Sequence, residues 1–506
     1  MTYYILNYIK YKKGLYMNIS KLSLAALTAI ALTTSAQATL KSDKVTLKGN
    51  MQVKFNKLPS EVNTIKEAFS EGMFYGRIRA NMFYWDWDEE TSKQKDNRNT
   101  GIGASMIYKT APMNGVSGTI GLYTSQSPFF KMDKEEVGFS KAGKDTFSRQ
   151  EVKNGGGFDG HYGMTVFGQG YLQYDIPGTK TSLKVGRQMF ETVFTKSNDT
   201  KMIPNTFDGV TAVIKDIPKT NIQLAYFNGQ KLRDHTKSHD VLAFNPNDSW
   251  EENDDSAVNK SLTVDKIGNS NELIVASVTN KSIKNLKANI SYAMVPDVLS
   301  NLALEAHYTI PVGDWKIVPG VRYMEQMDDL DSTTAVASLK GASKAHGYDD
   351  ANSLDSNLLA LRTDFKKGAF LGRIGYSKIA DEADIVAPWR GFPTGGFTRA
   401  MAQYNWYANT KTYMLRLGYD FGKADMIPGF SIMGRYAYQD FDDGKDNVAS
   451  DSRVIHIDAR QNIGKDMELK LRLGFVMADD DTLTSTGSFK NDYSYNEYRL
   501  ELNYFF

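Results

Sequence analysis

The sequence predicts an all-β protein, namely a transmembrane antiparallel β-barrel with eighteen strands, short periplasmic turns and long external loops. Three observations predict it. Apolar and polar side chains alternate in segment after segment, short turns centred on proline and glycine alternate with long polar stretches, and the last segment is an alternating strand that ends on Phe506. A period of two indicates strands, and membrane-spanning barrels join such strands by connections of unequal length.

The composition agrees with a membrane barrel and excludes several other classes of protein. Mean hydropathy is -0.43, but aromatic residues make up 12% of the chain and the 41 glycines far outnumber the 13 prolines. Beyond the signal region described below, no apolar run reaches the roughly 18 residues that a membrane helix needs. Without cysteine the chain has no disulfide, thiolate nucleophile or cysteine-ligated zinc, and a net charge of +1 argues against nucleic acid as a partner.

The N-terminal region has the pattern of a secretory signal peptide. A short basic stretch and an apolar run occupy residues 18–32, and the small residues of a cleavage site follow at 36–38. This order predicts a signal peptide over residues 1–38. Met17 is interpreted as the true start, which makes residues 1–16 a misassigned upstream extension; the alternative is a long basic leader.

Between the signal peptide and the barrel lies a predicted periplasmic N-terminal segment, residues 39–70. Its part from 60 to 70 has the pattern of a short helix, with Ser60 as the candidate N-cap. The barrel is predicted to occupy residues 71–506.

The strands are predicted from alternation, which is clearest in the last one. Its apolar face is formed by Tyr498, Leu500, Leu502, Tyr504 and Phe506, and its polar face by Glu497, Arg499, Glu501 and Asn503. The eighteen alternating segments are 76–87, 101–110, 116–125, 164–176, 181–189, 208–216, 220–229, 271–280, 285–295, 301–311, 314–326, 357–366, 369–379, 411–421, 431–441, 452–463, 467–478 and 496–506. An even number is what a single-chain bacterial barrel requires.

The connections predict the topology. Tight turns centred on proline and glycine lie at 111–115, 176–180, 217–219, 310–314 and 425–429. Long polar stretches lie at 127–162, 230–268, 328–354, 380–409 and 479–492. In barrels of this kind short turns face the periplasm and long loops face outside.

Several of these segments resemble one family. Gly186–Gln188 followed by Ser197–Gly209 looks like the third external loop of OprD-type porins, and Leu415–Phe421, Ile427–Tyr436 and the last strand are similar to the same family. The resemblance implies an eighteen-stranded barrel, often a trimer, whose third loop folds inward to narrow the pore. It also implies uptake of small solutes such as carboxylates, amino acids or short peptides. Loops 127–162 and 230–268 match no pattern of the family.

Strand phase predicts a basic ladder along the lumen. Its members are Arg362, Arg373, Arg416, Arg435, Arg460, Arg472 and Arg499. An arginine on the lipid face at mid-membrane costs about 2–4 kcal/mol, so the inward position is favoured. Stacked guanidinium groups can pass an anionic solute along the pore by reversible bidentate contacts. The alternative is that these arginines only pair with lumenal carboxylates, namely Asp364, Asp420, Asp458, Glu497 and Glu501.

The constriction is predicted within residues 191–206. Its candidate residues are Ser197, Asn198, Asp199, Lys201 and Thr206. Charges of both signs across a narrow point produce a transverse field that orients dipolar solutes. The alternative is an ordinary external loop with Asn-Asp turn residues.

Other features predict no cofactor. His235 and His239 are four residues apart in a loop, which is a weak indication of a metal site. The acidic stretches 248–255 and 440–443 could hold Ca²⁺ in external loops, but neither has EF-hand spacing. Aromatic residues near strand ends, among them Trp85, Trp87, Trp315 and Trp406, are interpreted as interfacial girdles.

The predicted function is that of a passive porin in the outer membrane of a Gram-negative bacterium. Its predicted partners are outer-membrane lipid and lipopolysaccharide, the barrel-assembly machinery through Phe506, small solutes and two further copies in a homotrimer, with no nucleic acid. The alternatives are a general ion-conducting major porin, a barrel enzyme such as a protease or phospholipase, and an adhesive barrel with loops 127–162 and 230–268 as its contact surface. Because no Ser/His/Asp set stands out in the sequence, a non-enzyme is predicted.

Overall fold

The structure is a computed structural model. It describes residues 45–47, 53–55 and 59–506, without 93, 141–145, 149–160, 199–201, 244–258, 270, 332, 402–403, 446 and 485. The predicted signal peptide over residues 1–38 lies outside the described residues.

Nearly all of the regular structure is β. Ahead of the barrel lie the short strands β1 (Val45–Leu47) and β2 (Val53–Phe55), which pair antiparallel, and helix α1 (Ile65–Ser70). The first half of the barrel is formed by β3 (Met73–Trp87), β4 (Asn97–Lys109), β5 (Val116–Gln126), β6 (Gly163–Asp175), β7 (Ser182–Gln188), β8 (Thr206–Ile214), β9 (Thr220–Lys231), β10 (Leu273–Asn280) and β11 (Leu286–Val295). The second half is formed by β12 (Leu299–Tyr308), β13 (Ile310–Val312), β14 (Trp315–Asp328), β15 (Ser356–Lys367), β16 (Phe370–Ile379), β17 (Lys411–Asp420), β18 (Phe430–Asp440), β19 (Ser452–Ile463), β20 (Met467–Ala478) and β21 (Tyr495–Phe505). A second short helix, α2 (Val264–Ile267), lies in the loop after β9.

The barrel is closed and has eighteen strands, as the sequence predicts. β12 and β13 are two parts of one strand, interrupted at Thr309, because both pair with β14. All neighbours are antiparallel, and β21 pairs with β3 over Tyr495↔Trp87 to Phe505↔Arg77 to close the cylinder. Each strand therefore has a hydrogen-bonded neighbour on both sides. This pairing satisfies the backbone polar groups, as the hydrocarbon core of a membrane requires of a sheet that spans it.

The wall has one apolar outer face and one mixed inner face. On β17, for example, Tyr413, Leu415 and Leu417 are 49%, 46% and 50% exposed, whereas the alternate residues Thr412 and Met414 are buried. Large apolar side chains are exposed in the same alternating way on the other strands. In a membrane barrel the exposed apolar face is the one that meets lipid.

The connections alternate in length with one exception. The turns at one end run from two residues (368–369) to nine (421–429). The loops at the other end include the third, 189–205, and the seventh, 380–410, here called L3 and L7. The exception is the fifth loop, 296–298, which is as short as a turn.

Helix α1 begins four residues later than the sequence interpretation placed it. Its N-cap is Thr64 and not Ser60, because the Thr64 hydroxyl accepts a hydrogen bond from the Glu67 amide while the Glu67 carboxylate accepts from the Thr64 amide. This reciprocal pair satisfies two amides that the first turn leaves unpaired. The Asn63 amide also donates to Glu67, and these bonds hold the pKa of that carboxyl below its usual value. In the described part of the chain, no helix has the length and apolarity to cross a membrane.

The interpretation of three tryptophans as girdle residues is wrong. Trp85 and Trp87 lie on the inner face of β3 and are 0% and 8% exposed, and Trp406 in L7 is fully buried. The Trp85 ring stacks on Tyr495 with centroids 3.8 Å apart. Trp315, by contrast, is 37% exposed on the outer face. The position of a tryptophan near a strand end does not show which face it occupies, and here the inner face has an apolar cluster that contains Trp85 and Trp87.

This inner apolar material forms a core inside the barrel. The largest cluster joins the inner faces of β8 to β16 to L3 and L7, with Phe194, Trp389 and Trp406 among its loop members. A smaller cluster packs Ala400 of L7 against Trp85 and the inner faces of β17 to β21. Burial of these side chains fixes both loops within the cylinder.

The close approach of β3 to β4 generates a test with two matched glycines on the outer face. A Cβ at Gly76 would lie 1.8 Å from the Ser105 carbonyl oxygen, whereas a Cβ at Gly434 would meet nothing within 4 Å. Gly76→Ala must push β3 from β4, so we expect a loss of about 1–3 kcal/mol in the free energy of unfolding. The measurement is urea unfolding of the detergent-solubilised barrel, with heat-modifiable migration in electrophoresis as the folded-state marker. Gly434→Ala is the control, and equal stability of the two variants would contradict the argument.

Candidate functional site: the barrel lumen

All seven arginines of the predicted ladder occupy positions in phase with the buried inner face of their strands. They lie on β15 (Arg362), β16 (Arg373), β17 (Arg416), β18 (Arg435), β19 (Arg460), β20 (Arg472) and β21 (Arg499). The exposed apolar residues of the same strands occupy the other phase. The set therefore runs around the C-terminal half of the inner wall.

Several of these arginines are direct neighbours across strands. Arg373 is paired in register with Arg416, and Arg416 with Arg435, so three guanidinium groups lie side by side on β16, β17 and β18. Arg472 is likewise opposite Arg499. Like charges directly opposite each other destabilise a sheet. An anion near such a row would relieve the repulsion.

Four of the seven arginines have carboxylate partners, which was the alternative to the ladder. Arg373 makes a bidentate pair with Asp364, with N–O distances of 2.5 and 3.0 Å. The other pairs are Arg472 Nε to Asp458 Oδ1 (3.1 Å), Arg460 Nη1 to Glu468 Oε2 (3.6 Å) and Arg499 Nε to Glu497 Oε1. These pairs lower the net positive charge of the wall.

The other three arginines form no ion pair with a carboxylate in the described part of the chain. Arg362 and Arg435 donate to backbone carbonyls of L7. Arg416 lines a cavity of about 490 Å³ together with Arg435 and Arg472. Its Nε finds no acceptor among the described residues. Arg416 is thus the ladder member whose charge is least compensated.

L7 is held inside the barrel by arginines of the wall. The carbonyl groups of residues 393–399 accept hydrogen bonds from four of them. The bonds run from Arg322 Nη1 to Pro393 O (2.6 Å) and Gly395 O (3.1 Å), from Arg373 Nη1 to Gly396 O (2.6 Å), from Arg362 Nη1 to the same Gly396 O, and from Arg435 Nη1 to Arg399 O (3.0 Å). Hydrogen bonds from a charged donor are stronger than neutral ones, so this clamp orders the tip of L7.

L3 is joined to L7 by backbone hydrogen bonds. The Lys196 amide donates to the Trp389 carbonyl at 2.9 Å, and the Gly391 amide donates to the Phe194 carbonyl at 2.8 Å. Between them Thr195 forms an antiparallel bridge with Arg390. The two loops therefore narrow the lumen as one unit, whereas the sequence resemblance implied only L3.

Part of the predicted constriction set can be placed. Ser197 and Thr206 are fully buried, the latter as the first residue of β8, and Asn198 is half-buried. Asp199 and Lys201 lie outside the described residues. The hypothesis of a transverse field between charges of opposite sign depends on those two residues and stays a prediction.

Sequence reasoning missed further charged residues of the inner wall. Arg79 pairs with Glu501 at 2.9 Å, and Lys470 lies 3.5 Å from the same carboxylate. Arg322 pairs with Glu305 at 2.5 Å while it holds L7. Arg79 directly follows the apolar Ile78 in the alternating segment 76–87, so the period of two indicates its inward position. The contribution of L7 had no comparable signal, because its contacts to the wall are made by backbone carbonyls.

The candidate metal sites named in the sequence are the His235/His239 pair and two acidic stretches, one of which, 440–443, lies among the described residues. His235 and His239 do come together, with Nδ1 and Nε2 2.9 Å apart. Asp440 and Asp442 form ion pairs with Lys411 and Lys445. No cluster of three or more metal-ligating side chains occurs within the described ranges. The acidic stretch 248–255 lies outside them.

A closed eighteen-stranded barrel with an apolar outer face and a charged lumen narrowed by two loops defines a channel protein of the porin class. The chain belongs to the outer-membrane porins of the OprD family, whose sequence model matches residues 165–504. OprD-family porins and this fold place the protein in the outer membrane of a Gram-negative bacterium. They are channels rather than enzymes.

Solved porin structures share this fold. OpdK of Pseudomonas aeruginosa, crystallised with vanillate, is 13% identical with a TM-score of 0.63, and the match covers 87% of this chain and 99% of that one. OccAB1 of Acinetobacter baumannii is 15% identical with a TM-score of 0.63, over 86% and 96% of the two chains. A BenF-like porin of Pseudomonas fluorescens Pf-5 is 15% identical with a TM-score of 0.63, over 87% and 99%. A search of curated protein sequences gave no match.

The contact between L3 and L7 generates a second test. A Cβ at Gly391 would lie 2.1 Å from the Phe194 carbonyl carbon, so Gly391→Ala must separate the two loops. We expect a higher single-channel conductance, together with a loss of about 1–3 kcal/mol in stability from overpacking. Planar-bilayer recording measures the first effect. Gly444→Ala, in another external loop and with no atom closer than 3.7 Å to the added carbon, is the control. A conductance equal to that of the control would show that the loop contact does not set the pore width.

Proposed function

We propose that the protein is a passive porin for small hydrophilic anions, chiefly carboxylates, with amino acids and short peptides as further solutes. The observation that carries the proposal is the row of Arg373, Arg416 and Arg435 on adjacent strands. Only Arg373 of these three has a carboxylate partner among the described residues. A row of guanidinium groups with incomplete compensation favours anions without holding them tightly.

Two further observations support an anionic solute. The cavity beside Arg416 is also lined by Arg460 and Lys470, and its cationic side chains outnumber its two carboxylates, Asp420 and Asp458. OpdK, one of the similar structures, was crystallised with vanillate, which is a carboxylate. Arginine recognises carboxylates by two parallel hydrogen bonds, and exchange between neighbouring guanidinium groups allows release.

A general ion-conducting porin is the second candidate. It is favoured by the lumenal acids Glu468, Glu497 and Glu501, each of which is paired with a basic side chain. Such pairing neutralises part of the wall and weakens anion preference. The two candidates differ in measured selectivity, since only the first requires a marked preference for anions.

The remaining features of the working protein are also proposals. We propose a homotrimer, cleavage of the signal peptide near residue 38, and insertion by the barrel-assembly machinery through the strand that ends on Phe506. We also propose that transport through the barrel requires no cofactor. The outward position of Phe506, whose ring lies 5.6 Å from that of Phe74, supports recognition of this strand by an external factor.

The proposal is tested by ion selectivity in planar bilayers. Purified protein is expected to give stepwise openings, and Arg416→Glu is expected to move the reversal potential in a KCl gradient toward cation selectivity, because it converts the centre of the arginine row to a negative charge. The matched control is Arg453→Glu, which reverses a charge on the outer face of β19 where Arg453 pairs with Asp479. An unchanged reversal potential in Arg416→Glu would contradict the proposed anion preference. If the folded barrel gave no channel openings, the proposal that the protein is a porin would be wrong.

A further inference from the structure

The short helix α1 is fixed against the outside of the barrel at its turn-bearing rim. The Ala111 amide donates to the Ala68 carbonyl at 2.8 Å, and the Val62 amide donates to the Pro112 carbonyl at 2.9 Å. The Tyr108 hydroxyl donates to the Phe69 carbonyl. These contacts hold the first and last parts of the helix segment to the end of β4 and to the turn that follows it.

The position of Tyr108 shows on which side of the wall the helix lies. On β4 the exposed Ile102 belongs to the outer face, and Tyr108 is in the same phase six residues later. Gly72, the second residue after α1, permits the approach, because a Cβ there would lie 2.3 Å from the Tyr108 hydroxyl oxygen. The helix therefore contacts the outer and not the lumenal side of the rim.

Two large apolar residues of α1 remain uncovered. Ile65 and Phe69 are 67% and 61% exposed, although Ala68 of the same helix is buried against the rim. Residues four apart share one face of a helix. The capping box of Thr64 and Glu67 stabilises the helix, so this apolar face is a fixed feature.

The uncovered face continues the apolar outer face of the barrel. Phe74, 58% exposed on β3, is paired in register with Tyr108, which contacts the helix, and the Phe506 ring lies 5.6 Å from the Phe74 ring. Val116, at the start of β5, is 44% exposed on the same side. The outer face of an outer-membrane barrel is covered by lipid, and an amphipathic helix beside it can lie in the plane of the interface.

We propose that α1 is an interfacial anchor whose residues Ile65 and Phe69 insert into the periplasmic leaflet of the outer membrane. Lys66 is exposed on the same helix and would meet the anionic head groups of that leaflet. The anchor ties the helix that directly precedes the barrel to the membrane surface beside the rim.

The absence of cysteine from the chain allows a direct test. Single-cysteine variants Ile65→Cys and Phe69→Cys carry a nitroxide in the full-length barrel, reconstituted in phosphatidylethanolamine/phosphatidylglycerol vesicles. Power saturation compares collisions with oxygen, which concentrates in lipid, and with a water-soluble nickel chelate. Ser70→Cys, exposed on another face of the same helix, is the matched control, and Ile120→Cys, 57% exposed on the outer face of β5, is the lipid-facing standard.

The expected result is that positions 65 and 69 show high oxygen and low nickel accessibility, as position 120 does, whereas position 70 shows the reverse. High nickel accessibility at 65 and 69 would overturn the proposal in favour of a water-exposed helix. Low accessibility to both reagents would overturn it in favour of a protein contact, such as a second copy of the chain. Heat-modifiable migration of each labelled variant verifies the fold, and the readout is independent of conduction.

Discussion

The pairing of β21 with β3 is the constraint on which the rest of the structure depends. Once the sheet is closed, every strand is bonded on both sides, and the direction of a side chain is fixed by whether its position is odd or even along the strand. Charged residues on the inner phase then reach water or each other, and apolar residues on the outer phase reach lipid. The same rule brings Arg373, Arg416 and Arg435 side by side.

The lumenal arginines divide into two kinds by what they contact. Four of them donate hydrogen bonds to the backbone of L7 and thereby hold that loop in place, namely Arg322, Arg362, Arg373 and Arg435. Arg416 donates to none of the described carbonyls of that loop and lines the cavity of about 490 Å³. Neighbouring arginines of the wall therefore differ in their contacts: some hold L7 in position, and Arg416 borders the cavity. A row of basic residues predicted from a sequence therefore contains arginines that hold a loop and arginines that do not, and only their hydrogen-bond acceptors distinguish the two kinds.

Alternation sufficed to predict the strands, the closure and the inward phase of the arginines, because these follow from a period of two and from the cost of charge in lipid. It did not predict the inward fold of L7, since the acceptors at 393–399 are backbone carbonyls, which every sequence possesses. The helix cap was misplaced because several polar residues precede α1 and only Thr64 has Glu67 three residues later. Trp85 was misassigned because an aromatic residue near a strand end can lie on either face.

The apolar cluster shared by L3, L7 and the inner faces of β8 to β16 makes the cylinder asymmetric in cross-section. One side is packed like the interior of a water-soluble domain, and the arginine row on β16, β17 and β18 begins at the edge of that arc. The free cross-section of such a tube is off-centre, because the packed loops occupy the side of β8 to β16. Substitutions on the unpacked side can therefore change the width and charge of the free space without disturbing the core that fixes the loops.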